Sequence, residues 1–151
     1  RTHGQATNFT LDTLASELQA QGKYDEAEPL FREALELDRG TMGSRHENTL
    51  TSVSNLASLL REKGDLTAAE PLLREALGLF RETLGNRHPS TLTSINNLGL
   101  LLQAKGDLAA AEPLHREALE GRREIFGSRH PHTLTSINNL GKLLKEKGDQ
   151  P

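Results

Sequence analysis

Glycine recurs at Gly22, Gly64, Gly106 and Gly148, a constant step of forty-two residues, and the rest of the chain falls into register when it is written in rows of that length. Rows 49–90 and 91–132 agree at most of their positions. A period of this size marks supersecondary units stacked side by side, none of which can bury its apolar face alone. Stability then accumulates through interfaces between neighbours, and one extended face is left for binding. Hydrophobic residues make up only 34% of the 151 and aromatic residues 3%, which is thin for one central core. Stacked units that bury small aliphatic side chains tolerate that composition.

Within the row 91–132, the segment TLTSINNLGLLLQAKGD places Leu92, Ile95, Leu98 and Leu102 at spacings of three and four, the apolar stripe of a helix A. Gly106 can take the left-handed backbone that stops it, and Asp107 can cap the next helix. The next segment, LAAAEPLHREALEGRREIF, carries Leu108, Ala111, Leu114, Ala118 and Leu119 on a second stripe, so a helix B returns antiparallel. The loop GSRHPH leads to the next helix A, with Pro131 suited to its first position.

The four rows predict helices near 8–21, 24–40, 49–63, 66–84, 91–105, 108–126 and 133–147. This is an all-α chain of seven helices in about three and a half hairpin repeats, read as one domain over 1–151 with repeats at about 7–48, 49–90 and 91–132 and a half repeat at 133–151. The final helix A reads as either a cap, made polar by Lys142, Lys145 and Lys147, or the edge of a longer array. Small residues recur where the two helices should cross, at Ala15, Ala57, Gly99 and Gly141 on helix A and at Ala27, Ala69 and Ala111 on helix B. Pro29, Pro71 and Pro113 fall early in helix B, where a long helix with a tolerated bend is expected. Phe80, equivalent to Asp38 and Arg122, is expected at an exposed position, and Gly78 and Gly121 look awkward inside helix B.

The spacing from Leu98-Gly99 to Gly106, Ala111 and Ala118, with NNLG, KGD, AEPL, REAL and a G-x-R-H-P loop, resembles the tetratricopeptide repeat in its forty-two-residue form, as in kinesin light chain and its bacterial and algal relatives. The resemblance covers the chain from about Thr7. It implies a right-handed superhelical solenoid whose A helices line a concave groove that holds an extended peptide. Two departures stand out. Arg45, Arg87 and Arg129 occupy the place before the loop histidine where the family usually has an acid, and the first row has Asp12-Thr13 for the asparagine pair and Gly4 for the loop histidine.

Asn55, Asn97 and Asn139 recur once per repeat, joined by Asn96 and Asn138 at the preceding position. An amide offers a donor and an acceptor, so such a row can pair with the N–H and C=O groups of an extended backbone. Thr51, Thr93 and Thr135 lie one turn earlier on the same face, and Ser58, Leu100 and Lys142 one turn later, where their variety would confer specificity. The alternative is that the asparagines bond only within the stack. Both can hold at once, and Asn97→Ala is expected to weaken peptide binding with little loss of helicity. Arg61, Gln103, Lys142 and Lys145 against Glu62 and Glu146 form no clamp for a terminal carboxylate.

Other constellations carry less. Arg45-His46, Arg87-His88 and Arg129-His130 read better as solvated arginines and helix-starting histidines than as an anion rim, and one histidine per repeat gives no common metal site. Glu70, Glu75, Glu112 and Glu117 belong to a solvated helix face, with Glu112 to Arg116 as an i,i+4 pair. No phosphate loop, nucleophile elbow or metalloprotease motif occurs, so no enzyme, catalytic residue, metal or cofactor is expected. A formal charge of −3 argues against bulk nucleic-acid binding. The absence of cysteine excludes disulfides. No run of about eighteen apolar residues and no leader pattern is visible, so neither membrane association nor secretion is expected, and the location reads as cytoplasmic. The expected function is a non-catalytic protein–protein interaction scaffold that binds a peptide segment. The alternative is a self-assembling module stacked end to end without a peptide.

Overall fold

The computed structural model describes residues 2–43 and 45–148, with side chains from residue 10 onward. The described residues form seven helices and no strand: α1 (Thr2–Ala20), α2 (Tyr24–Thr41), α3 (Glu47–Lys63), α4 (Leu66–Leu84), α5 (Pro89–Ala104), α6 (Leu108–Phe126) and α7 (Pro131–Gly148). The first residue of the expected domain and residues 149–151 of the expected half repeat lie outside the described residues. The helices gather into two compact units, Arg1–Ala76 and Leu77–Pro151. In the first, α1 and α2 form a hairpin and α3 packs on α2; in the second, α5 and α6 form the hairpin and α7 packs on α6.

The tight turn from helix A to helix B follows from glycine. At Gly64 and Gly106 φ is 91°, a left-handed conformation that side-chain-bearing residues rarely adopt. It lets Asp65 N–H reach the Leu60 carbonyl (2.8 Å) while Gly64 N–H reaches that of Arg61 (3.0 Å), and the pattern repeats from Asp107 to Leu102 and from Gly106 to Gln103. These paired bonds close the helix end. The aspartate then turns to the next helix: Asp65 and Asp107 accept from the N–H of Ala68 and Ala110, each at 3.2 Å. Gly148 differs, since α7 still includes it.

The A helices start earlier than their apolar stripes suggest, because the loop histidine is the cap. His46, His88 and His130 accept through Nδ1 from the backbone N–H two residues on, at 3.0, 3.1 and 3.0 Å. Pro89 and Pro131 then take the first helical position, where no N–H is needed. His88→Ala is expected to cost about 0.5–2 kcal/mol of stability, as loss of a helix cap does, measured by thermal unfolding. With Gly4 and Gln5 in place of that His-Pro stop, α1 runs back to Thr2 rather than beginning near residue 8.

The long-helix expectation for helix B holds, since α2, α4 and α6 contain Pro29, Pro71 and Pro113 in their interiors. The carbonyls that lose a donor belong to Asp25, Thr67 and Ala109, all exposed residues where water substitutes. The small residues at the crossings are buried at Ala15, Ala27, Ala57, Ala69, Gly99 and Ala111, whereas Gly141 is exposed.

Two expectations for helix B are overturned. Asp38 and Arg122 are only 2% and 5% exposed, and Phe80 is half-buried. The position lies against the A helix that comes next: Ser52 Oγ donates to Asp38 at 2.5 Å, and Arg122 donates to Ser136 Oγ at 2.9 Å. Gly121 is likewise no blemish. A Cβ there would collide with Cδ2 of Leu92, a fully buried side chain, so the missing methyl lets α5 and α6 close.

Candidate functional site

Each expected groove residue lies on a helix A, and the two units present them separately. On α3, Thr51 is exposed and Asn55 and Ser58 are half-buried. On α5, Thr93 is exposed, Asn97 and Leu100 are half-buried and Asn96 is buried. On α7, Thr135, Asn138 and Lys142 are exposed and Asn139 is half-buried. Thr51 and Thr135 return their hydroxyls to the carbonyls of Glu47 and Pro131 one turn back, at 3.1 and 3.0 Å.

The asparagines divide by partner. Asn139 Nδ2 donates to Asn96 Oδ1 at 2.9 Å, which ties α7 to α5. Asn55 makes the corresponding bond in the first unit, to Asp12 on α1. Asn97 makes no hydrogen bond among the described residues. The ladder therefore contains inter-helix rungs and also unspent amide groups. Asn139 keeps one N–H and its carbonyl oxygen beyond the bond to Asn96.

A second kind of rung lies two turns further along: Gln19 Nε2 donates to Glu62 at 3.0 Å, and Gln103 Nε2 to Glu146 at 2.5 Å. Between the two rungs of the second unit, Leu100, Gln103, Ala104, Asn139, Lys142 and Glu146 line a cleft of about 440 Å3. The repeat pattern points to Leu100, Asn139 and Lys142 as site residues. It does not point to Gln103 and Glu146, which make no carboxylate clamp and instead bond to each other.

Two further groups, one in each unit, lie outside the expected groove residues: Asp12, half-buried on α1 where the first row departs from the asparagine pair, and His115, buried on α6. Asp12 has one buried carboxylate oxygen without a partner, and burial, with nearby Asp38 as the lesser cause, pushes its carboxyl up to about 6. His115 fills the space over Gly99 and is 1% exposed. Its Nε2 meets Gln103 Oε1 at 3.1 Å, Nδ1 has no partner, and burial holds its pKa below the ordinary value. The aligned rows do carry a signal for it: His115 stands where Phe31 and Leu73 do, both apolar.

The opposite faces are held by charge. Arg39 reaches both oxygens of Glu75 at 2.8 Å, and Arg81 forks onto Glu117 at 2.7 and 2.9 Å, thirty-six residues on in both cases. The Glu117 carboxyl is held low by that guanidinium. Glu112 accepts from Arg116 at 2.8 Å and from Lys147 at 2.6 Å. Of the helix-B carboxylates expected to be solvated, Glu75, Glu112 and Glu117 are thus half-buried ties between helices, because they take partners from the neighbouring repeat, while Glu70 accepts from Arg74 on its own helix at 2.8 Å. Arg87 pairs with Glu120 and Glu124 at 2.9 and 3.1 Å. Among the described residues no group of three or more histidines and acids stands in metal-ligating range. No described helix is long and apolar enough to cross a membrane.

These rungs, hairpins and caps repeat at the spacing that defines a family. The profile described as Tetratricopeptide repeat matches residues 7–82, 52–124 and 90–151. The chain belongs to the tetratricopeptide repeat family. The search of curated proteins gave no match. Among solved structures it is similar to a putative kinesin light chain with nearly identical TPR-like repeats from Podosopora anserina, at 27% identity and a TM-score of 0.85 over 92% of this chain, and to a single-residue variant of that protein with the same values. It is also similar to BtubC (BKLC) from P. vanneervenii, at 24% identity and a TM-score of 0.88 over 97% of this chain, which bears on the fold alone. The tetratricopeptide chain spans 66% of the first of these and 58% of the last. The all-α tetratricopeptide solenoid of the kinesin-light-chain-like type is the fold. Repeats of this kind are generally non-catalytic scaffolds that mediate protein–protein interactions.

Proposed function

We propose that this tetratricopeptide chain is a non-enzymatic scaffold that recruits a partner protein by holding an extended peptide segment along its A helices, with the repeats acting as one binding domain. The observation that carries the reading is the unspent amide of Asn97, half-buried on α5 with no hydrogen bond among the described residues. Its amide atoms are not among the sealed, unpartnered polar atoms, so both its donor and its acceptor stay within reach of a guest that takes the place of water. Asn139 supports the same role with its remaining N–H and carbonyl oxygen. Bonds from such amides hold a main chain without reading its sequence. Selection falls to the residues one turn away, Ser58, Leu100 and Lys142, and to the cleft in the second unit that Leu100 and Lys142 share.

A peptide-library screen against the purified chain would provide the ligand. Asn97→Ala is then expected to weaken binding by about tenfold, the cost of one to two backbone hydrogen bonds, with the thermal midpoint unchanged because no internal partner is lost. Unaltered affinity for the selected peptides, or unfolding of the variant without a separate binding defect, would overturn the reading. The proposal includes a cytoplasmic location, which fractionation of expressing cells tests.

A further inference from the structure

On α7, Lys142 and Glu146 stand four residues apart, the spacing at which opposite charges on one helix are neighbours and pair. In the structure they do not pair. Glu146 accepts instead from Gln103 Nε2 on α5 at 2.5 Å, and no ion pair joins it to Lys142 among the described residues. Both side chains line the cleft that Leu100 and Ala104 share, so the diversion of Glu146 decides which charge the cleft presents.

The diversion has an anchor behind it. A carboxylate only accepts, so the Gln103 NH2 must face Glu146 and its Oε1 must face His115 Nε2, which lies 3.1 Å away. His115 Nε2 is therefore the donor, and Nδ1, sealed from water with no partner, carries no proton in the neutral ring. The ring is held in place, since it is buried and fills the space over Gly99. A fixed ring thus sets the amide, and the amide sets the carboxylate. The first unit differs in one respect. Its Gln19–Glu62 rung forms with Phe31 at the place of His115, but there Ser58 stands four residues before Glu62 and brings no charge to compete for it. Of the two units, the one with the competing lysine has the histidine anchor.

We propose that His115 is a positioning residue for the peptide site: through Gln103 it holds Glu146 off Lys142, and so leaves the lysine ammonium to an acidic side chain of the bound segment. This rests on the recruitment reading above and adds a charge preference to it. The ligand carboxylate takes the place on Lys142 that Glu146 would otherwise fill, while Asn139 in the same cleft holds main chain. Without the anchor, Glu146 turns to Lys142, and the cleft presents a neutralised pair that favours no acid.

In the peptide-free chain, nitrogen-15 spectra of His115 should show a proton on Nε2 and none on Nδ1. His115→Leu makes the position apolar, as Leu73 does in the preceding row, and should shift the Gln103 NH2 signals while unfolding curves show the fold retained. In a peptide-library screen against the purified chain, glutamate at one position of the selected peptides should be enriched about fivefold over glutamine, the worth of one partly exposed ion pair. His115→Leu and Lys142→Ala should each abolish that preference. Glu146→Gln added to His115→Leu should restore it, because the competing carboxylate is gone, a rescue that a purely structural histidine would not give. A proton on Nδ1, a preference that survives His115→Leu, or a double variant that stays indifferent to charge would overturn the proposal. A screen that selects no peptide overturns the recruitment reading and the charge preference with it, whereas peptides that bind through Asn97 without favouring an acid overturn the charge preference alone.

Discussion

Asp12→Asn is expected to stabilise the chain at neutral pH by about 1–3 kcal/mol, raising its thermal midpoint by several degrees. The Asp12 carboxyl has a buried oxygen without a partner and lies near the buried Asp38, and it is pushed up to about 6 in the folded chain from 3.8. The sign comes from proton binding. Between about pH 4 and 6 the folded state holds a proton that the unfolded state has released, so stability from this group is present in acid and is lost as pH rises through the folded value. At pH 7 the carboxylate is a net cost. Asparagine removes the charge and keeps an acceptor for Asn55, reproducing the Asn96–Asn139 rung of the second unit. The advantage of the variant should therefore shrink as pH falls from about 6 towards 4. Thermal unfolding of both proteins at pH 7 and pH 4 measures it, and a difference that does not change with pH would contradict the assignment.

Gly99→Leu and Gly141→Leu make the same substitution at equivalent positions with opposite results. At Gly99 even the first carbon would stand 3.0 Å from the His115 ring, itself buried, and the remaining carbons have no space to enter. Forcing α5 and α6 apart is expected to cost about 3 kcal/mol or more, at the upper end of overpacking. At Gly141 no atom lies within 4 Å of the added carbon, and leucine is the better helix former by somewhat under 1 kcal/mol, so stability should stay level or rise slightly. Chemical denaturation of the two variants reads both numbers. Equal destabilisation would mean that the contact between Gly99 and His115 is not what fixes the hairpin. His115 adds a pH signature of its own. Its folded pKa lies below the ordinary 6.5, so the unfolded state takes up the proton first, and stability falls as pH drops below that value. Asp12 responds in the opposite direction across much of the same range.

The period of forty-two residues makes the hairpins legible, and α4 and α6 have the bounds that their stripes predict. Legibility is poorest where a side chain meets another repeat. Asp38 and Arg122 look like surface residues in their own helix, and only the serines at equivalent positions of later rows, Ser52 and Ser136, disclose what they face. Gly121 looks like a propensity defect because Leu92, the side chain it admits, lies on another helix. The loop histidines are legible as helix starts, but the Nδ1 bond that makes them caps lengthens each of the A helices after them by two residues at its beginning. The asparagine ladder is legible as a row and not as a set of bonds. Which amide is spent depends on the residue one repeat earlier, Asp12 for Asn55 and Asn96 for Asn139.

The proposed recruitment depends on amides with bonding capacity to spare along the A helices, and their own signals report it. With an isotopically labelled chain and a peptide chosen by library screening, the side-chain NH2 resonances of Asn97 and Asn139 should shift on titration and follow the same binding curve as the backbone signals of α5 and α7. Shifts confined to α2, α4 and α6, with both amide side chains unmoved at saturating peptide, would contradict it.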